Sequence, residues 1–396
     1  MEGIKDKVAI VGMGCTKFGE RWDKGVEDLV VEAAYEAFED AGIEPKDVQA
    51  AWIGTVFSGL SAITLSPLQL QYIPMTRVEN MCATGSEALR AASYAVAAGV
   101  CDIALAVGVE KLKDSGATGV KGPSIVGDNQ DGSSGIGPGY SAPASFAYLA
   151  TRYFHHYNIK PEDGKRLLAQ IVVKNHHNGS LNPKAHFQNE LTIEQVVNAP
   201  IIAWPLGLFD CCGVSDGAAV AVVTRADIAK KFRPDPIYIK ALQVTVGARQ
   251  GAMKQDYDFV HMEENVLGSR KAYAEVGVKN PREEISIAEV HDCFSIHEMI
   301  VYEDLGFSPR GRAREDIEAG TFTLKGTLPV NTDGGLKCFG HPLGASGLRM
   351  MYEVYKQLQG KAGPRQVKNP RLGLTHNLGG NAGTGICSCF IVSNEK

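Results

Sequence analysis

Three familiar signatures are missing from this chain of 396 residues. There is no cluster of lysine and arginine, and the formal net charge is −5 at pH 7. A surface for nucleic acid needs basic residues gathered on one face, so that class of function is set aside. There is no uninterrupted apolar run of membrane-spanning length. The nearest approach, 88–109, is broken by Arg90 and Asp102 and divided at Gly99, and reads as a buried helix followed by the buried strand IALAVGV. The opening MEGIKDKVAIVGMG, charged and then only briefly apolar, fits a first buried strand better than a secretory signal. Finally, the nine cysteines follow no framework spacing. Free thiols in a reducing, cytoplasmic compartment are therefore expected.

Two further patterns fall short. Gly12 and Gly14 in GMGCTKFG lack the third glycine of a dinucleotide fingerprint. The histidines at 155, 156, 176, 177 and 186 match no zinc spacing and read as solvated loop residues. Neither a resident cofactor nor a metal is expected.

What is present is a globular composition, with 44% hydrophobic and 21% charged residues, in a chain too long for one ordinary core. Strand-like runs alternate with helical patterns: VAIVGMG, VEDLVVEAAYEAFEDAG, AAWIGTV, a helix after Cys82, then IALAVGV. From about Lys240 the order recurs through KALQVTVG, ENVLGSRKAYAEVG, ISIAEVHDCF, a helix after His341, and LGLTHNLGG. Such alternation predicts an α/β fold of two similar halves on mainly parallel sheets with right-handed crossovers. Residues 113–204 break the rhythm and read as an inserted loop domain covering a site. The division expected is 1–112 plus 205–232, 113–204, and 233–396.

The two halves carry one weak internal match. Aligning CATGSEALR (82–90) with HPLGASGLR (341–349) at an offset of 259 superposes Gly85 on Gly344, Leu89 on Leu348 and Arg90 on Arg349. In each segment a glycine-containing turn opens an amphipathic helix. The first residues are a thiol and an imidazole. A lone cysteine or loop histidine is more often structural, but a pseudo-twofold axis between the halves would bring Cys82 and His341 to one pocket as nucleophile and base. A helix N-terminus is expected to lower the Cys82 pKa.

Two more segments carry polar groups at strand ends. In HDCFSIHE, His291 ends the strand ISIAEV and Cys293 points the same way two residues on, supplying an oxyanion donor and a proton shuttle. His297, some two turns into the following helix, is assigned to packing behind them. In THNLGGNAGTG, Asn377, Gly379 and Gly380 follow another buried strand, where glycines let backbone N–H groups approach a substrate. Of the adjacent Cys211 and Cys212, only one can face a pocket, and Cys212 precedes the Gly213 turn.

Taken together, NMCATG, HDCF, GHPLGASG and NLGGNAGTG resemble the motifs of the thiolase superfamily over essentially the whole chain. The resemblance implies a five-layered αβαβα fold, a dimer through the core, and an acyltransferase that cleaves a 3-oxoacyl-CoA with CoA or runs the reverse Claisen condensation. The commonest thiolases have Asn and Cys where this chain has His291 and Asn377. The pattern is similar to sterol-carrier-protein-type thiolases and their bacterial and archaeal acetyl-CoA acetyltransferase relatives, which implies Cys293 as the acid/base thiol. It also implies that Cys82 carries the acyl group and that His291 and His341 hold the enolate oxygen. The N–H groups of Cys82 and Gly379 are implied to hold the tetrahedral oxyanion, with Phe294 and Cys212 lining the site. Coenzyme A enters as substrate. Lys111, Lys113 and Lys121 are the candidates for its phosphates but form no pattern, and a small zinc-ribbon and OB-fold (DUF35-type) subunit is an expected partner. Phe57, Tyr72, Tyr140, Phe146, Tyr148 and Trp204 are candidates for a branched or aromatic acyl pocket. A ketosynthase acting on a carrier-bound chain, or a non-catalytic thiolase-like subunit, are the competing readings.

Overall fold

The computed structural model describes residues 3–58, 65–70, 72–115, 141–250 and 257–396. In chain order the strands are β1 (Val8–Cys15), β2 (Ala50–Gly54), β3 (Met75–Val78), β4 (Ile103–Glu110), the hairpin β5 (Ile201–Ala203) and β6 (Leu206–Gly207), β7 (Gly217–Arg225), β8 (Ile237–Val246), β9 (Ile287–Val290), β10 (Leu372–Gly379) and β11 (Ile386–Ser393). Seven helices among the described residues have ten residues or more. They are α1 (Val26–Ala41), α2 (Thr84–Ala97), α3 (Ala142–His156), α4 (Pro161–Ser180), α5 (Glu263–Val276), α6 (Ser295–Asp304) and α7 (Leu343–Leu358). None of the described helices is long and apolar enough to cross a membrane.

Nine strands bond in the order β3-β2-β4-β7-β1-β8-β11-β10-β9. The order is a near palindrome about the short β1–β8 pair, where Ala9 faces Tyr238 and Ile10 faces Ile237. Beyond β9 a parallel bridge from Ala288 to Val330 occupies the place that β3 holds at the opposite edge. The expectation of a mainly parallel sheet is corrected: three strand pairs are parallel and five are antiparallel. The cause is local. Each half ends by returning a strand, β7 or β11, into its own sheet beside the first, and each half's first strand abuts the other's.

Three apolar layers separate helices from sheet, because the strands bury both faces. In β7, Ala218, Val220 and Val222 face α1, whereas Ala219, Ala221 and Val223 face the centre. In β11, Cys387, Cys389 and Ile391 face the α5 side, and Phe390 and Val392 face the centre. The central layer holds α2 and α7, packed together and sandwiched between the half-sheets, through Ala88, Leu89, Ala92, Leu348, Met351 and Tyr355. The sequence of layers is helix, sheet, helix pair, sheet, helix. The described part of the insertion, with α3 and α4, packs on α6 of the second half through Phe146, Tyr153, Leu168 and Ile171.

Candidate functional site

α2 and α7 meet at their N-terminal ends through glycine. A Cβ on Gly85 would lie 2.6 Å from the Gly344 carbonyl oxygen, and one on Gly344 would lie 2.4 Å from that of Val109 and 2.6 Å from that of Gly54. These backbones approach as closely as they do only because neither residue has a side chain. Helices α2 and α7 begin at Thr84 and Leu343, and 343 − 84 is 259, the same offset as 341 − 82. Cys82 and His341 therefore each stand one residue before the helix cap, Ala83 in one case and Pro342 in the other.

The turn that carries Cys82 is held tightly. Met81 adopts a left-handed φ of 51°. Thr84 Oγ1 donates to the Met81 carbonyl at 2.5 Å and accepts from the Asn80 N–H at 2.9 Å. Gly379 lies against this turn, where a Cβ would come within 2.1 Å of the Asn80 carbonyl oxygen. The Gly380 amide, with φ 90°, lies near enough to the Cys82 sulfur to bear on its titration. The lowered pKa expected for Cys82 is corrected: burial pushes the thiol up to about 12, although the N–H groups of Gly380 and of Cys82 itself pull the other way. Loss of water around the sulfur outweighs the helix end. The nearby Glu110 carboxylate raises it further.

His341, at the start of α7, is buried, and its ring nitrogens are distinguishable. Ser346 Oγ donates to the Pro342 carbonyl at 3.0 Å, so it accepts from His341 Nδ1–H at 2.7 Å. Nε2 is left as a bare lone pair without a partner. Burial, aided by Arg349, lowers the His341 pKa to about 3, so the ring is a neutral base. His291 stands with its ring 5.2 Å from that of His341 and nearly perpendicular to it. Its Nδ1 accepts from Asn377 Nδ2 at 2.8 Å, which places the ring proton on Nε2. Burial and the surrounding histidines push its pKa well down.

Cys293 follows β9 and is buried. Its carbonyl accepts from the Cys212 N–H at 2.9 Å, and a bridge between Cys211 and Phe294 joins the same two segments, which sets Cys212 beside the site. Burial drives the Cys293 thiol well above its ordinary range, and the thiols of Cys212 and Cys82 are near enough to add to the shift. Phe294 stacks on Phe146 with ring centroids 4.6 Å apart.

Two family models match the chain: "Thiolase, N-terminal domain" over residues 8–227 and "Thiolase C-terminal domain-like" over 246–390. This chain belongs to the thiolase family. It is 39% identical to an acetyl-CoA acetyltransferase of Methanothermobacter thermautotrophicus, covering 97% of this chain and 99% of the relative. It is 32% identical to the benzoylsuccinyl-CoA thiolase subunit BbsB of Thauera aromatica, covering 98% and 100%. Among solved structures it is similar to the Ltp2-ChsH2(DUF35) aldolase, with a TM-score of 0.85, 25% identity and 99% of each chain covered. The likeness extends to the sterol-carrier-protein-type branch, and the chain is an acyltransferase of this family.

The remaining polar groups of this thiolase divide between support and surface. Asn377 lies on β10 instead of in a loop. It holds His291 while its Oδ1 lies 3.4 Å from Ser86 Oγ on α2. Asp292 accepts from the N–H groups of Leu336 and Lys337 and from Asn175, a structural clamp rather than an acid in the cavity. Glu110, at the end of β4, is the group that sequence reasoning misses. Its carboxylate accepts from the N–H groups of Val56 and Phe57 at 2.9 Å, from Thr55 Oγ1 at 3.1 Å, and from the Gly344 N–H at the start of α7 at 3.2 Å.

Several candidates lie elsewhere. Lys111 pairs with Asp216 at 2.8 Å and Asp114 at 2.6 Å, and Lys113 pairs with Glu20 at 2.6 Å, so both are engaged with acids. Lys121 and Tyr140 lie outside the described residues. Phe57, Tyr72, Tyr148 and Trp204 are exposed, and of the acyl-pocket candidates Phe146 alone is buried against the site among the described residues. Phe146 and Tyr148 also line a hollow of about 90 Å³ with Ser145, Leu149, Phe259 and Asn381. The expectation of solvated loop histidines is corrected: His155, His156, His176 and His177 lie on α3 and α4 and His176 is buried, while those at 176, 177 and 186 bond separately to Asn189, Glu190 and Ser215.

Proposed function

We propose that this thiolase cleaves a 3-oxoacyl-CoA with coenzyme A, or condenses two acyl-CoAs in reverse, through an acyl group carried on Cys82. The observation that carries the reading is the meeting of two helix starts, one headed by a thiol and the other by an imidazole whose Nε2 is bare and unpartnered. Cys82 S–H gives its proton to His341 Nε2 as the sulfur attacks the 3-keto carbon, and the Cys82 sulfur recovers a proton when the acyl group leaves it. Gly380 N–H faces the charge that develops there, a contribution of roughly 3 kcal/mol in comparable sites. Cleavage of the carbon–carbon bond leaves an enolate, whose oxygen is held by His291 Nε2–H and whose carbon takes the Cys293 proton. Incoming CoA thiol, deprotonated by Cys293 or His341, then removes the acyl group from Cys82.

A carbon–carbon cleavage without acyl transfer, as in an aldolase, needs the proton-handling groups but no nucleophile. Cys82 in its constrained turn favours acyl transfer. Phe146 and Phe294 support an acyl group with an aromatic or branched end. Lys111 and Lys113 are both paired with acids, and this supports a DUF35-type subunit as a second contributor to holding the CoA phosphates. We further assign the chain to the cytoplasm, to a homodimeric core, and to the three-part division at 112, 204 and 232.

The test is thiolysis of a panel of short, branched and aromatic 3-oxoacyl-CoAs, with Cys82→Ala and Cys293→Ala beside the parent. Both variants should lose at least about a thousandfold in kcat. Cleavage by Cys293→Ala at the parent rate refutes the shuttle. A radiolabelled acyl group trapped on Cys82→Ala refutes the nucleophile.

A further inference from the structure

Behind His291 stands a residue that the reaction does not use. His297, on α6, is fully buried, with its ring 5.2 Å from that of His291, 5.4 Å from Phe146 and 5.9 Å from His376. Neither of its nitrogens has a hydrogen-bond partner, and the His291 carbonyl approaches its ring outside hydrogen-bond geometry. A neutral imidazole always carries one N–H, so a buried ring without partners is a cost that a ligand would relieve. The same ring lies beside a thiol. One donor atom each of His291, Cys293 and His297 falls within 4.8 Å of the others, and this is the only such trio of potential metal-ligating groups among the described residues.

We propose that His291, Cys293 and His297 form a binding site for a divalent transition-metal ion of zinc type, which occupies the proton-handling side of the pocket and arrests turnover. Two imidazoles and one thiolate suit such an ion, and three protein ligands leave a fourth position for water. The balance is simple: the ion replaces the Cys293 proton, which leaves to solvent, and the imidazoles give lone pairs. On His291 the available nitrogen is Nε2, because Nδ1 is engaged by Asn377. Binding through Nε2 moves the ring proton to Nδ1, and Asn377 must turn its amide so that Oδ1 accepts it. A metal-bound histidine commonly donates its other ring N–H to an oxygen acceptor, the place Asn377 Oδ1 would then fill. The spacing H-x-C-x₃-H matches no standard zinc pattern, since the cluster forms only where the extended residues after β9 turn into α6.

The inhibition rests on the reading of Cys293 as proton shuttle; the binding does not, and the two are separable. The full chain, stripped with chelator, is titrated with Zn²⁺ by calorimetry and with Co²⁺ by absorption. One ion per chain is expected, with release of a proton and a thiolate-to-cobalt charge-transfer band. Thiolysis should fall with zinc and return with chelator. His297→Asn should keep thiolysis, lose the zinc inhibition and weaken binding by roughly 100-fold or more. Cys293→Ala should lose the cobalt band, whereas Cys82→Ala, inactive in thiolysis, should keep it. A band that survives in Cys293→Ala, an unchanged affinity in His297→Asn, or failure of the parent chain to take up either ion, overturns the site. A band of the expected pattern without inhibition of thiolysis would retain the site and overturn its effect on turnover.

Discussion

With its thiol pushed up to about 12 and His341 held near 3, Cys82 rests as a neutral S–H rather than as a thiolate paired with an imidazolium. The sign of the pH dependence follows. The reactive thiolate fraction of the free enzyme rises about tenfold per pH unit below the thiol pKa, so the rate of alkylation by iodoacetamide at Cys82 should climb steadily between about pH 6.5 and 9.5. A plateau near neutrality would show a preformed ion pair. Gly379 offers a second test. The methyl group introduced by Gly379→Ala would collide with the Asn80 carbonyl at the nucleophile turn. We expect kcat to fall by about 100-fold or more while the far-UV spectrum is kept, because a misplacement of about an ångström is costly in a site of this kind. At this scale the sequence is informative about identities and silent about states. The motifs single out Cys82, His291, Cys293 and His341 as candidates, but the protonation of each depends on desolvation and on partners such as Ser346 and Asn377. Those come from other turns and strands.

The contact between α2 and α7 is where the two halves act as one. It depends on Gly344, which has backbone on three sides, so Gly344→Ala has no flexible neighbour to displace. A destabilisation of about 2–4 kcal/mol is expected by chemical denaturation, in line with overpacking at a rigid contact. Glu110→Gln addresses the same junction by different means. The carboxylate serves four donors, and an amide presents an NH₂ group to some of them. Leaving one or two buried donors unmatched should cost about 2–3 kcal/mol, read as a lower midpoint in urea. The offset of 259 makes the helix pair visible in the sequence, because a glycine turn ahead of an amphipathic pattern marks a helix start in any fold. Glu110 is invisible there for the opposite reason. A lone acid at the end of an apolar strand has the look of a solvated terminus, and only tertiary packing brings α7 to it.

Across the molecule, the central helices belong to both sheets. Neither half can close its inner core alone, since Leu89 and Ala92 of one and Leu348 and Met351 of the other lie in a single apolar layer. Fragments 1–232 and 233–396 should each be insoluble or unfolded when expressed separately and should recover secondary structure on co-expression, as measured by circular dichroism of the purified pair. The duplicated order of strands and helices is legible from periodicity. Strand direction is not: apolar runs such as VSDGAAVAVVT look alike whether a neighbour runs with them or against them, so the antiparallel returns of β7 and β11 leave no mark. The segment between β4 and β7 stands out in the sequence by its loss of rhythm, but the packing of its described part on α6 depends on side chains more than a hundred residues away, as in Phe146 against Phe294.

The equivalence of the Cys82 and His341 positions has a consequence for how such a site can arise. Were each half a separate, identical subunit related by a twofold axis, every change at one helix start would be copied at the other, and the cavity would hold two thiols or two imidazoles. Joining both copies in one polypeptide frees the positions to diverge, so that a thiol and an imidazole can stand at equivalent ends of the same symmetry element.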